Sequence, residues 1–165
     1  YVGRPHTQDA YNKNLFMLAD YYNCKIGFEN DRGEVIAYAK RHRKMHRLQE
    51  EFEMLDKREL RSKTVKRQYG MHMTEARKRQ GEIYIRDWLN SVRSKNEEGE
   101  QVLNLHKIYD LALLQELIKF NHKGNFDRVM SLMIGMYHTR ELYNAEVKEI
   151  LEDNSANNWF DKNYY

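Results

Sequence analysis

The chain has 165 residues, 41% of them hydrophobic and 32% charged, one domain's worth of globular composition and enough length to bury a real core. No apolar run approaches the ~20 residues that a membrane-spanning helix requires. The single Cys24 excludes an internal disulfide or a multi-cysteine metal framework and fits a reducing compartment. No secretory leader is read at Tyr1. The net charge of +3 hides a segregation: residues 40–79 hold fourteen basic against six acidic side chains, while 1–39 come to −1 and 80–165 to −4.

One proline and eight glycines leave few helix breaks, so helices should dominate. Thr7 or Asp9 caps a first helix over 8–22, whose apolar stripe is Tyr11, Leu15, Leu18, Ala19 and Tyr22. Cys24 to Glu29 places Ile26 and Phe28 at alternate positions and reads as a strand that ends on a carboxylate. A turn through Asn30, Asp31, Arg32 and Gly33 opens a second helix over 33–43. Residues 45–73 are the least legible, with an amphipathic stretch at Met45, Leu48, Phe52 and Leu55 and a turn at Gly70. Thr74 starts a helix over 74–93 that carries Ile83, Ile85, Trp88, Leu89 and Val92, with Gly81 as its weak point. Asn96 to Glu100 is a polar loop. Asp110 caps a helix over 110–120, and a turn at 122–125 leads to a last helix over 126–144 rich in Val129, Met130, Met133, Ile134 and Met136. The body is one domain over 1–150, followed by a polar tail over 151–165 that ends the chain with Trp159, Phe160, Tyr164 and Tyr165.

Nucleotide hydrolysis of the P-loop kind is excluded, because Gly33 and Gly70 stand alone and no GxxxxGK[ST] is present. HExxH, CxxC and GxSxG are absent too. His42 and His46 are four apart, which suits a surface pair on a basic helix better than a zinc site. Two acids are more telling. Glu29 at the carboxyl end of a buried strand stands where open sheets place ligands, and a carboxylate there invites a hard divalent cation. Asp127 opens a strongly apolar helix, where the plain reading is an acid favoured by the helix dipole. The pair gains meaning only if the fold brings both to one site. The basic segment, with Arg41, Arg43, Lys44, Lys66, Arg67, Arg77 and Lys78, suits a polyphosphate backbone. Interspersed Glu50, Glu51, Glu53 and Glu59 equally suit a salt-bridged surface.

Residues 26–36, IGFENDRGEVI, and 108–132, IYDLALLQELIKFNHKGNFDRVMSL, together with the opening GRP at Gly3 to Pro5 and the run Gly70 to Lys78 before a helix, resemble the nuclease domain of the large terminase subunit of tailed bacteriophages. The resemblance covers most of residues 1–143. It implies a helix-rich α/β, RNase H-like fold in which three acids hold two Mg²⁺ or Mn²⁺ ions and cut double-stranded viral DNA. Glu29 is then the second acid and Asp127 the third, both catalytic and metal-binding. The family's first acid lies on a strand before the region similar to Tyr1 to Pro5, so the fold should lack its first strands in this chain. Where the family commonly has two adjacent acids, Phe126 and Asp127 supply one. Arg128 and Lys78 join the DNA-contacting set. The implied setting is the cytoplasm of an infected bacterium, away from membranes, with the terminase ATPase domain, the small terminase subunit and the portal as partners. Two other readings stay open: a non-catalytic module that grips DNA or docks to the packaging motor through residues 40–79, and a helical interaction domain whose Met-rich last helix packs a partner.

Overall fold

The computed structural model describes residues 3–30, 33–52, 69–121 and 124–163, with the side chains of the last helix described through residue 144 and at 146. Leu55, Lys66, Arg67, His122 and Lys123 lie outside these residues, as do the side chains of the terminal aromatics. The described chain is mixed α/β and helix-rich: α1 Gln8–Tyr21, α2 Glu34–Arg41, α3 Glu75–Asn90, β1 Val92–Lys95, β2 Gln101–Leu103, α4 Leu111–Lys119 and α5 Asp127–Asn163. No described helix is long and apolar enough to cross a membrane.

Each helix start has a local cause. The Thr7 hydroxyl accepts the Ala10 N–H, Thr74 accepts that of Arg77, and Asp110 accepts those of Ala112 and Leu113, so side chains satisfy N–H groups that a helix leaves without partners. Gly33, with φ of 70°, starts α2 one residue later than the periodicity suggests, in a conformation that costs glycine little. Past Arg41 the chain turns through Arg43, a non-glycine residue at φ 56°, then through a 3-10 turn at Met45–Arg47.

Two apolar clusters make the core. In the N-terminal cluster Phe16 and Ala19 of α1 meet Tyr38 and Ala39 of α2, together with Ile26, Phe28 and Leu48. The Phe16 and Tyr38 rings stack with centroids 5.2 Å apart. The C-terminal cluster joins Phe52, Met71, Met73 and Ile85 to Val129, Met133, Ile134 and Tyr137 of α5. Gly81 is the contact point of α3 with α5, for a Cβ there would sit 3.0 Å from Met133 Cγ. The buried Tyr137 hydroxyl donates to the Arg77 carbonyl at 2.9 Å and ties the same two helices. Met133 is wholly buried and Met130 and Met136 pack beside it, so the methionines fill this chain's own core.

The strand expected over 24–29 forms single bridges rather than a ladder. Ile26 pairs in parallel with Leu48, Glu29 in parallel with Met71, and Glu50 antiparallel with Tyr69. Residues 26–30 thus divide their hydrogen bonds between two short segments, one after the other, and neither pairing extends far enough to be a strand. The described sheet lies elsewhere: β1 and β2 form an antiparallel hairpin with register Val92↔Leu103, Ser94↔Val102 and Lys95↔Gln101 and an irregularity between Val92 and Ser94. The polar loop read at Asn96 to Glu100 is its turn, where Asn96 Oδ1 accepts the N–H groups of Glu98 and Glu100 and Gly99 takes φ 81°. The helix read as 126–144 is longer, and its backbone continues through most of the stretch read as a separate tail.

Candidate active site

Glu29 is placed by backbone bonds on both sides of it. The Phe28 carbonyl accepts the Met71 N–H and the Asn30 N–H donates to the Met71 carbonyl, each at 2.9 Å. The buried Asn30 side chain adds a bond to the Tyr69 carbonyl at 2.7 Å. Gly70 makes this possible: at φ 74° a Cβ would fall 2.7 Å from Phe28 Cζ and 2.9 Å from Asn30 Cβ. Below Glu29, Gly27 lies close enough to α5 that a Cβ would meet Ile134 Cγ2 at 3.2 Å. The short segment carrying the acid is therefore pressed against the helix that carries the other one.

Asp127 is the first residue of α5, and Glu116 of α4 fixes that helix end. One Glu116 oxygen accepts the backbone N–H groups of Arg128 at 2.9 Å and Val129 at 3.4 Å, and the other accepts from the Arg128 guanidinium at 2.7 Å. Burial pushes the Glu116 carboxyl up, but the Arg128 side chain and the two N–H groups outweigh it and hold it below its ordinary range. Gly124 packs on Phe126, with a would-be Cβ 2.2 Å from Cε2, and Phe126 meets Phe120 edge to face at 5.4 Å.

These two placements bring Glu29 and Asp127 to one open cavity of about 1070 Å³, at the seam between the two apolar clusters. Leu15, Ile26 and Phe28 line it from one side, Met130 and Ile134 from the other, and the residues before α1 close an edge. Asp127 is exposed and faces Arg4, whose Nη2 lies 3.9 Å from Oδ2. Glu116 also reaches the cavity, but Arg128 and the start of α5 occupy it. Among the described residues no group of three or more His, Cys, Asp or Glu side chains is arranged to hold a metal. Glu29 and Asp127 offer the hard oxygens that Mg²⁺ or Mn²⁺ takes, enough for one ion that keeps several waters. A pair of ions needs further donors.

The basic residues read as DNA-binding have varied surroundings. Arg41 pairs with Asp9 at 3.4 Å, and its guanidinium lies 5.9 Å from the Tyr38 ring centre. Lys44 joins Arg47 on Asp20, and these partners, Lys44 first, hold the Asp20 carboxyl below its ordinary range against the effect of burial. Lys78 pairs with Glu75 at 3.5 Å, and Arg43 is exposed. Arg77 is turned inward, 6% exposed, donating to the His72 carbonyl at 2.7 Å and pairing with Glu51 at 3.6 Å. Arg128 is committed to Glu116 at 2.7 Å and lies 3.9 Å from Asp110.

Sequence reasoning missed Arg4 and Glu116. Each acts across the fold on a residue far along the chain, and the only trace of them is that they fall inside the quoted GRP and Glu-Leu stretches. No protein-family profile, curated protein or solved structure matches this chain.

Proposed function

We propose that this chain is the nuclease domain, in its C-terminal part, of a terminase large subunit, an RNase H-like endonuclease that hydrolyses phosphodiester bonds of double-stranded viral DNA with Mg²⁺ or Mn²⁺. The observation that carries this reading is the convergence of Glu29 and Asp127 on one cavity from opposite ends of the chain. The motif resemblance chose those two acids before any geometry was considered. A divalent ion at such a site activates a water and stabilises the leaving oxygen of an in-line displacement. Glu29, held on a bridged segment, and Asp127, held at a capped helix start, supply oxygens whose positions packing fixes, and that fixity is what metal ligation requires. The resemblance assigns the third carboxylate to a strand upstream of the segment similar to Tyr1 to Pro5, and the same reading gives the ATPase domain, small terminase subunit and portal as partners in the host cytoplasm.

The test uses the full-length protein with supercoiled plasmid and Mn²⁺. Glu29→Ala and Asp127→Ala should each lower nicking by about a hundredfold or more, since each removes stabilisation of transition-state charge. Wild-type nicking by both variants contradicts the assignment. A non-catalytic DNA-gripping module predicts the opposite pattern, namely salt-sensitive DNA binding that ignores EDTA and both acids. The burial of Arg77 and the carboxylate partners of Arg41, Lys44 and Lys78 give that module less free charge than the sequence alone promises.

A further inference from the structure

The cavity that holds the two acids also contains a cation of the protein's own. Arg4, in the segment preceding α1, lies with Nη2 3.9 Å from Asp127 Oδ2, and the two side chains are 89% and 67% exposed. Arg128, the immediate neighbour of Asp127, does not take this role, because its guanidinium is directed to Glu116 and Asp110. Arg77 shows what a structural arginine looks like in this fold: buried, with a carbonyl at 2.7 Å and a carboxylate beside it. Arg4 has none of that burial.

Resting on the nuclease reading of this site, we propose that Arg4 is the resident counter-ion of Asp127, that a divalent cation displaces it, and that the displaced guanidinium then binds a phosphate of the DNA. A guanidinium and a divalent cation compete for the same carboxylate oxygens and repel each other, so both cannot sit on Asp127. An ion pair this exposed contributes little, so the exchange is easy. The freed arginine is still tethered at the cavity edge, where its planar fork matches a phosphate oxygen pair. Metal and DNA therefore assist one another: the metal releases Arg4 for the phosphate, and the phosphate keeps Arg4 off Asp127. By linkage the coupling is the same in both directions.

Mn²⁺ binding to the full-length chain without DNA, followed by the resonance signal of free Mn²⁺, tests the first step. Arg4→Gln should bind Mn²⁺ roughly two- to fivefold more tightly, the range set by an exposed ion pair, and Arg4→Lys should stay near wild type. Unchanged or weaker binding by Arg4→Gln overturns the counter-ion role. Duplex binding in metal-free buffer tests the second step. Asp127→Asn should tighten it by releasing Arg4, and adding Arg4→Gln should abolish that gain; a gain that survives the double change overturns the phosphate role. Failure of the nuclease reading looks different, for then Glu29→Gln and Asp127→Asn bind Mn²⁺ as wild type does, whatever Arg4 does.

Discussion

Around Phe16, two short helices pack on segments that touch through single backbone bridges, whereas around Met133 the packing is helix on helix, with α3 seated on α5 through Gly81. In the N-terminal region, position depends on a few long-range hydrogen bonds and one glycine. In the C-terminal region it depends on interdigitated side chains along two helices. The candidate site takes one acid from each, so Glu29 inherits the fragility of a bridged segment and Asp127 the solidity of a capped helix. The N-terminal region should be the part of the site most easily disturbed.

The largest expected effects come from emptying either cluster. Phe16→Ala and Met133→Ala should each cost about 3–5 kcal/mol in denaturant unfolding, the range for large-to-small changes at buried positions. Amide exchange then separates the regions. Phe16→Ala should expose the amides of Ile26 and Asn30 while α3 and α5 stay protected, and equal loss everywhere would break the distinction between the two halves. Gly70→Ala comes next, at about 2–4 kcal/mol, because it combines a left-handed φ with a Cβ pressed into Phe28 and Asn30. It should weaken Mn²⁺ binding more than Gly81→Ala does, since Gly70 lies under Glu29 and the neighbour of Gly81 is the end of a flexible methionine.

Glu116→Gln should cost about 1–2 kcal/mol, from the charge-assisted bonds to Arg128 and the start of α5. Its pH dependence has a fixed sign. The carboxyl is held below its ordinary value of 4.5 in the folded protein, so its stabilisation is present above that value and disappears as pH falls below it. The difference between wild type and Glu116→Gln, measured by thermal unfolding from pH 7 downward, should shrink through the acid range. The smallest effect is at the caps, where Thr74→Ala or Asp110→Ala should lower stability by about 1 kcal/mol each.

Helix starts were legible in the sequence because capping is local: Thr7, Thr74 and Asp110 lie within three residues of the N–H groups they satisfy. The hairpin was not, since β1 is exposed at all four of its residues and offers no alternation to read. The segment at 24–29 was readable as extended from Ile26 and Phe28, but its division between Leu48 and Met71 depends on long-range pairing that no window contains. Glu29 and Asp127 could be named from their places on elements and from resemblance. That they share a cavity with Arg4, and that Glu116 anchors the start of α5, are consequences of packing between distant segments.

The central claim is that Glu29 and Asp127 serve the same cation. Loading the full-length protein with Fe²⁺ in place of Mn²⁺ and adding ascorbate and peroxide generates radicals at the bound metal, which cut the nearby backbone. The account predicts scission close to both residue 29 and residue 127 in the same sample, suppressed by excess Mn²⁺. Cuts at only one of these positions, or cuts that excess Mn²⁺ leaves in place, would contradict it.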